Sequence, residues 1–253
     1  MTEEREELRR LLALDRYPRS AAYDPQWVVE NMMGPNPLWL AESLSRVMTL
    51  EAGMRVLDMG CGRALTSIFL AREFGVQVWA TDLWVTATDN WQRIRDAGVA
   101  GQVYPVHAEA HTLPFAEGFF DAAVSLDAYQ YFGTDDLYLG TFARLVRPGG
   151  QLGIVTAGFL DEPETVPPAH LAPHWNWQMC AFHSPAWWRR HWEKTGLVTV
   201  EVADSLPHGW DDWLHWNEVC ESVGRGFASE AELLRADQGA TLGFPRMVAR
   251  RHE

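Results

Sequence analysis

Asp58 stands two residues before the turn Gly60-Cys61-Gly62, and Asp82 follows one strand later. The run from Val56 to Arg63 reads as an apolar strand, an acidic residue, a glycine turn and the start of a helix. Asp82, His107-Ala108-Glu109 and Leu126-Asp127 fall in the same way at the carboxyl ends of the next predicted strands. Open parallel sheets bind ligands beyond the carboxyl ends of their strands, near the point where strand order reverses. Successive strand ends therefore offer polar groups along one rim. An acid after a strand also serves to cap the following helix. That bland reading suits one such position better than all of them together.

The glycine turn discriminates between cofactors. A dinucleotide fingerprint is G-x-G-x-x-G, with a pyrophosphate on the helix N-terminus. Here Gly60 and Gly62 are present, but Leu65 takes the third glycine position. A carboxylate at Asp58 opposes a pyrophosphate and suits a cation. S-adenosylmethionine carries an ammonium group and a sulfonium, and Asp82 is placed to accept hydrogen bonds from ribose hydroxyls.

The elements that must position these residues follow from the pattern. Residues 3–14, 25–33 and 38–48 read as helices, the second opened by Asp24-Pro25 and closed by Gly34-Pro35-Asn36-Pro37. Strands are predicted at 55–59, 76–81, 102–107, 120–126 and 151–156, with helices at 65–74, 87–97 and 135–146 between them. Pro148-Gly149-Gly150 reads as the turn before the fifth strand. Ser184-Pro185 reads as a cap and first helical residue of a helix to about residue 195. A strand at 197–202, helix within 210–234 broken near Gly224-Arg225-Gly226, and a strand at 244–249 complete the chain. The expected fold is α/β: a Rossmann-like, doubly wound, seven-stranded, mostly parallel sheet with a helical N-terminal cap. One domain spans residues 1–253, with a cap or lid at 1–50, a cofactor-binding core at 51–160 and acceptor-site elements within 161–253.

With those residues in view, the chain resembles the class I S-adenosylmethionine-dependent methyltransferases of the small-molecule type. Asp58-Met59-Gly60-Cys61-Gly62 resembles the family's first motif, D-x-G-x-G. Ala80-Thr81-Asp82-Leu83 resembles its ribose-binding strand end, and Ala108-Glu109-Ala110 with Leu113-Pro114-Phe115 resembles the G-D-A-x-x-L-P-F segment. Phe120 to Ser125 and Leu145 to Gly150 resemble the fourth-strand motif and the turn before strand five. The resemblance implies that Gly60, Cys61 and Gly62 offer backbone to the methionine part of the cofactor, while Asp58 holds its amino group. It implies ribose on Asp82, adenine against Leu83, the adenine amino group on Glu109, and a backbone contact from Ala110. Ala108 replaces a usual glycine and Glu109 a usual aspartate. Leu126 completes the expected cofactor rim.

Methyl transfer from a sulfonium is an in-line displacement that needs alignment and exclusion of water. Candidates for contact with the reacting acceptor are Asp127, Tyr129, Tyr131, His111 and His183. His107 and His111 straddle a strand end rather than one helix face, so no metal is expected. Thirteen tryptophans include Trp187, Trp188 and Trp192 on one helix and Trp210, Trp213 and Trp216 every third residue. Core packing is their plain reading, and an aromatic wall for the acceptor the sharper one.

A net charge of −13 disfavours nucleic acid and fits a small-molecule acceptor. Three cysteines without a CxxC pair argue against a disulfide or zinc framework and for a cytoplasmic setting. The charged first ten residues suggest neither a secretion signal nor a membrane anchor. The acceptor atom and the oligomeric state stay open at this level. Rival readings are a cofactor-binding homologue without transfer, another S-adenosylmethionine-using enzyme on this fold, and an NAD oxidoreductase, the last weakened by Leu65 and Asp58.

Overall fold

A computed structural model describes residues 3–253; Met1 and Thr2, at the start of the predicted cap, lie outside the described residues. Three helices come first: α1 (Glu3–Leu12), α2 (Pro25–Glu30) and α3 (Pro37–Ser45). Then β1 (Arg55–Met59), α4 (Leu65–Phe74), β2 (Gln77–Asp82), α5 (Ala87–Asp96) and β3 (Val103–His107) alternate. They are followed by β4 (Phe120–Leu126), α6 (Tyr138–Leu145), β5 (Val146–Val155) and a two-residue strand, β6 (Gly158–Phe159). The chain continues through α7 (Pro185–Glu193), β7 (Val198–Ser205), α8 (Gly209–Ser222) and α9 (Ala228–Asp237). It ends with β8 (Leu242–Gly243) and β9 (Pro245–Arg251).

Seven strands form one sheet in the order β3-β2-β1-β4-β5-β9-β7. The strands β1 to β5 pair in parallel, and β9 runs antiparallel to both β5 and β7. Strand order reverses between β1 and β4, the point at which such sheets open a crevice. The separate pair β6–β8 was not foreseen in the sequence. Alternate residues of each strand supply the two faces. Val56, Val78, Ala122, Val124 and Val248 pack with the N-terminal helices, α4, α8 and α9. Leu57, Ala123, Leu152, Ile154 and Met247 pack with α6 and α7.

Four helix starts follow one chemical rule. Asp24, Asn36 and Ser184 each accept a backbone N–H from the first turn, and each precedes a proline at the first helical position. Thr86 caps α5 in the same manner. Helix α4 is different: no side chain caps it, and Ala64 enters it in the left-handed conformation with φ 61°. Its first N–H groups therefore stay open beside the glycine turn.

One boundary differs from expectation. Pro148-Gly149-Gly150 lies inside β5 rather than ahead of it. Pairing with β4 runs from Phe120–Val146 to Ala122–Gln151, so the extra residues bulge out while the ladder resumes beyond them. The N-terminal helices begin and end within a few residues of the predicted bounds, with α2 stopping at Glu30.

Asn36 is 4 % exposed and accepts from the N–H groups of both Leu38 and Trp39. Replacing it by alanine is expected to cost about 1 kcal/mol, the usual worth of such a cap. For a chain of this size that is a drop of about 2–4 °C in unfolding temperature, read by scanning calorimetry.

Candidate functional site

The cavity opens at the reversal point, over the carboxyl ends of β1, β2, β3 and β4, with a volume of about 310 Å³. That is within the range of small-molecule sites. Gly60, Cys61, Gly62, Asp82, Leu83, Ala108, Glu109, Ala110 and Leu126 all line it, as do Asp127, Tyr131 and His111. The ladder partners Met59–Thr81 and Asp82–His107 bring these strand ends level.

The glycine turn is tight for a physical reason. Gly60 has φ 73°, and a Cβ built on it would lie 2.4 Å from the Ala128 methyl across the reversal point. Only a residue without a side chain fits there. Met33 crosses the turn from the N-terminal segment, with its sulfur 3.0 Å from where a Cβ of Gly62 would sit.

The two leading carboxylates have different surroundings. Asp82 is held by backbone: its Oδ2 accepts from Gly62 N–H at 2.8 Å, and its Oδ1 from Trp84 and Val85 N–H, each at 2.8 Å. It shapes the turn while lining the cavity. Asp58 is 1 % exposed and sits behind the lining residues. Its Oδ2 accepts from the Ser67 hydroxyl on α4 at 2.6 Å, and its Oδ1 has no partner among the described residues. Burial pushes its pKa up to about 7, the Ser67 hydroxyl opposes that rise, and the charge of Asp82 adds to it. An open carboxylate oxygen beneath an uncapped helix start is a deficit that a cation can fill.

Glu109 faces His111. The His111 N–H donates to Oε2 at 2.8 Å, and its Nδ1 lies 2.6 Å from Oε1. The His111 hydrogen bond holds the Glu109 carboxyl below its ordinary value. His111 reaches the cavity with its ring edge-on to Tyr138 at 4.9 Å. At the other end, Asp127 adopts φ 51°, a left-handed conformation that aspartate tolerates better than most residues. Its pKa is pushed up to about 7, first by burial and then by Glu230, against the Ala157 backbone and Gln130. Gln130 Nε2 donates to its Oδ1 at 3.2 Å.

Tyr129 and His183 do not reach the cavity. Tyr129 is wholly buried against Phe142, Trp188 and Trp192, because its turn points it into the lower layer. His183 stacks on Trp187 at 3.6 Å, beside Glu162, and burial lowers its pKa. Trp188, Trp192, Trp213 and Trp216 are core residues, in keeping with the plain reading. The tryptophan at the cavity is Trp84, 68 % exposed, directly after Leu83. Arg63 and Phe132 also line the cavity without having been singled out, and Met33 and Pro35 line it from the segment expected as a lid. Among the described residues, no three His, Cys, Asp or Glu side chains gather as a metal-binding group.

Comparison with known proteins agrees with this geometry. Residues 56–150 match the family described as Methyltransferase domain. Over those residues the chain is similar to a methyltransferase domain. O-methyltransferase resE of Aspergillus sclerotiorum is 32% identical over 108 residues, 42% of this chain and 41% of that protein. Methyltransferase GfsG of Streptomyces halstedii is 31% identical over 130 residues, 50% of this chain and 47% of that protein. The chain thus matches less than half the length of these two curated relatives. Among solved structures, geranyl diphosphate C-methyltransferase of Streptomyces coelicolor A3(2) superposes with a TM-score of 0.67 at 19% identity. The superposition covers 83% of this chain and 78% of that one, whose structure holds Mg2+, geranyl diphosphate and S-adenosyl-L-homocysteine. At that identity it supports the fold of the methyltransferase domain.

The raised pKa of Asp58 has a stability consequence with a definite sign. An unfolded aspartate titrates near 3.9. The folded protein therefore holds a proton that the unfolded chain has lost, and stability from this group falls as pH rises toward 7. Asp58→Asn removes the charge and can keep the Ser67 contact. The unliganded variant is expected to gain on the order of 2 kcal/mol over wild type at pH 8 and little at pH 4. Denaturant unfolding at both pH values measures this; equal gains at the two would refute the assignment.

Proposed function

We propose that this protein transfers a methyl group from S-adenosylmethionine to a small-molecule acceptor by in-line displacement. The observation that carries the reading is Asp58: a buried carboxylate with one oxygen open, beneath a turn that admits no side chain. A cofactor ammonium satisfies that oxygen, whereas a pyrophosphate would meet Asp58, Asp82 and Glu109. In this reading Asp58 holds the ammonium, and Gly60, Cys61, Gly62 and Leu126 bound the methionine part. Asp82 takes the ribose hydroxyls with the acceptor capacity left after its three backbone bonds. Leu83, Ala108 and Ala110 border the adenine, and Glu109 accepts from its amino group.

When bound, the cofactor supplies a methyl group on a positively charged sulfur. The chain aligns the acceptor with that methyl and keeps water out. Residues 31–37 suit a lid. Gly34 lies so close to Asp127 that a Cβ would sit 2.8 Å from its Oδ2. The segment is tied down by the Trp216 Nε1–H donating to Gly34 O at 2.8 Å and by Arg93 Nε donating to Asn31 Oδ1 at 2.9 Å. With the N-terminal helices it forms the cap over the core, and α8 supports it from the C-terminal part.

Asp82 and Glu109 outnumber Arg63 as fixed charges in the cavity, and Arg63 already donates to Glu30 O. Neutral or cationic acceptors are favoured over phosphorylated ones. Trp84, Leu83 and Tyr131 stand exposed at the mouth and suit an acceptor with an apolar body. The net charge of −13 speaks against nucleic acid as acceptor. Cys61, Cys180 and Cys220 are free, as suits a reducing cytoplasm. No described helix is long and apolar enough to cross a membrane.

Thermal-shift titration tests the cofactor. S-adenosylmethionine and S-adenosylhomocysteine are each expected to raise the unfolding temperature and NAD to leave it unmoved; stabilisation by NAD alone overturns the reading. Asp82→Ala is expected to weaken both sulfur ligands by about tenfold or more, the worth of one charge-assisted hydrogen bond. Unchanged affinity would remove Asp82 from the ribose site. Labelled methyl incubated with phenol, alcohol, amine, thiol and carboxylate panels then identifies the acceptor.

A further inference from the structure

One pair of side chains in the cavity lining is joined by short, directed bonds. Glu109 and His111 both line the cavity, each with its side chain partly exposed. The turn after β3 brings them together: Thr112 N–H donates to Glu109 O at 3.1 Å, and His111 N–H donates to Glu109 Oε2 at 2.8 Å. His111 Nδ1 lies 2.6 Å from Oε1. That bond holds the Glu109 carboxyl below its ordinary value, so Glu109 is the ionised acceptor and Nδ1 carries the proton. Behind them stands buried Tyr138, the first residue of α6. It meets the His111 ring edge-on at 4.9 Å, and its hydroxyl donates to Ala110 O at 3.4 Å. His111 thus rests against the core, and Glu109 is held by it at both oxygens.

A partly exposed glutamate is free to take several rotamers, and a ligand that needs one of them must order it. Here two N–H groups of one residue have already done so. A carboxylate offers about four lone-pair sites, so each oxygen keeps acceptor capacity beyond its bond to His111. We propose that His111 is a positioning residue that holds Glu109 in the rotamer that reads the amino group of the cofactor's adenine. The inference rests on the methyl-transfer reading above and on the place it gives Glu109. It moves His111 from the acceptor's proton chemistry to recognition of the base. An acceptor fixed before binding discriminates for a donor more sharply than one ordered during binding. Glutamate has one more rotatable bond than aspartate, and that is the freedom His111 removes.

Titration calorimetry with two ligands tests the role: S-adenosylhomocysteine, and its analogue in which hydrogen replaces the amino group of the base. Wild type is expected to prefer the first by about tenfold or more, the worth of one hydrogen bond to a charged acceptor. Glu109→Ala is expected to bind the two alike. His111→Phe keeps a ring against Tyr138 but has no side-chain N–H. It is expected to lower the preference to about threefold or less, with affinity for the analogue unchanged. His111→Asn gives up the ring but keeps a side-chain N–H, and is expected to retain the preference. A role in packing alone gives the reverse pattern. A preference kept in His111→Phe, a preference lost in both His111 variants, or an equal fall in affinity for the two ligands overturns the assignment. No binding of S-adenosylhomocysteine by wild type overturns the methyl-transfer reading itself. A wild type without preference, or Glu109→Ala with the full preference, removes Glu109 from the adenine and the inference with it. Failure in the His111 variants alone overturns only the role given to His111.

Discussion

Asp58 is held in a dry place at the end of β1 with only one of its oxygens paired. An unsatisfied buried acceptor costs roughly 1–3 kcal/mol, more for a charged group. The neighbouring acid, Asp82, meets no such deficit, since backbone N–H groups bond both of its oxygens. The two residues are of one type, at adjacent strand ends, yet one organises the turn and the other waits for a partner. The difference comes from the backbone between them. Asp82 bonds Gly62 N–H and so pulls the turn over the end of β2, leaving Asp58 below with Ser67 alone. The whole cavity inherits this arrangement, because the turn sets where α4 begins and how closely β4 approaches.

That approach is the second constraint. At Gly60 the turn touches the Ala128 methyl, just past the end of β4, so the two halves of the sheet meet with no room to spare at the reversal point. Asp127, one residue earlier, turns back in a left-handed conformation while its N–H still donates to Val155 O at 2.7 Å. The strand pairing thus continues to the residue whose side chain enters the cavity. A left-handed non-glycine residue costs free energy and persists only where its surroundings over-determine it. Here those surroundings are the β5 carbonyl behind and the Gly34 segment in front. The cavity is acidic at both ends because both ends are strand termini held by backbone rather than by countercharges.

The parts of the site that were legible in the sequence are those that are local in the chain. The glycine turn, Asp82, Glu109 and Leu126 each carry their own strand-end context, and each lines the cavity. The mostly parallel sheet was legible for the same reason, since short apolar runs alternate with capped helices. What local pattern could not supply is the choice between like residues. Tyr129 and Tyr131 are two apart in one turn, and only the packing of Trp188 and Trp192 from α7 decides that Tyr129 goes inward. Trp84 was passed over because its neighbours carry the motif, although it stands exposed at the mouth. Met33 reaches the turn by tertiary approach from the segment expected as a lid, and no local signature says which residue of that segment does so. The misplaced start of β5 has a local cause: Pro148-Gly149-Gly150 is turn chemistry, absorbed here as a bulge.

The N-terminal segment links these constraints. Helix α3 is fastened to the sheet where Gly153 leaves no space for a Cβ, with Met48 sulfur 2.3 Å from that point and Leu44 beside it. Its N-terminus is fixed by the Asn36 cap and Pro37. Just before Asn36, Met33 and Gly34 lie against Gly62 and Asp127. Trp216 holds Gly34 through its carbonyl rather than through a side chain, a bond that survives rotation of neighbouring side chains but not withdrawal of the segment. Met33, Gly34 and Pro35 line the same cavity as the strand-end acids Asp82, Glu109 and Asp127. A cation seated at Asp58 would lower the repulsion among the strand-end carboxylates. The segment that lies over the glycine turn thus stands among the charges that such a cation would offset.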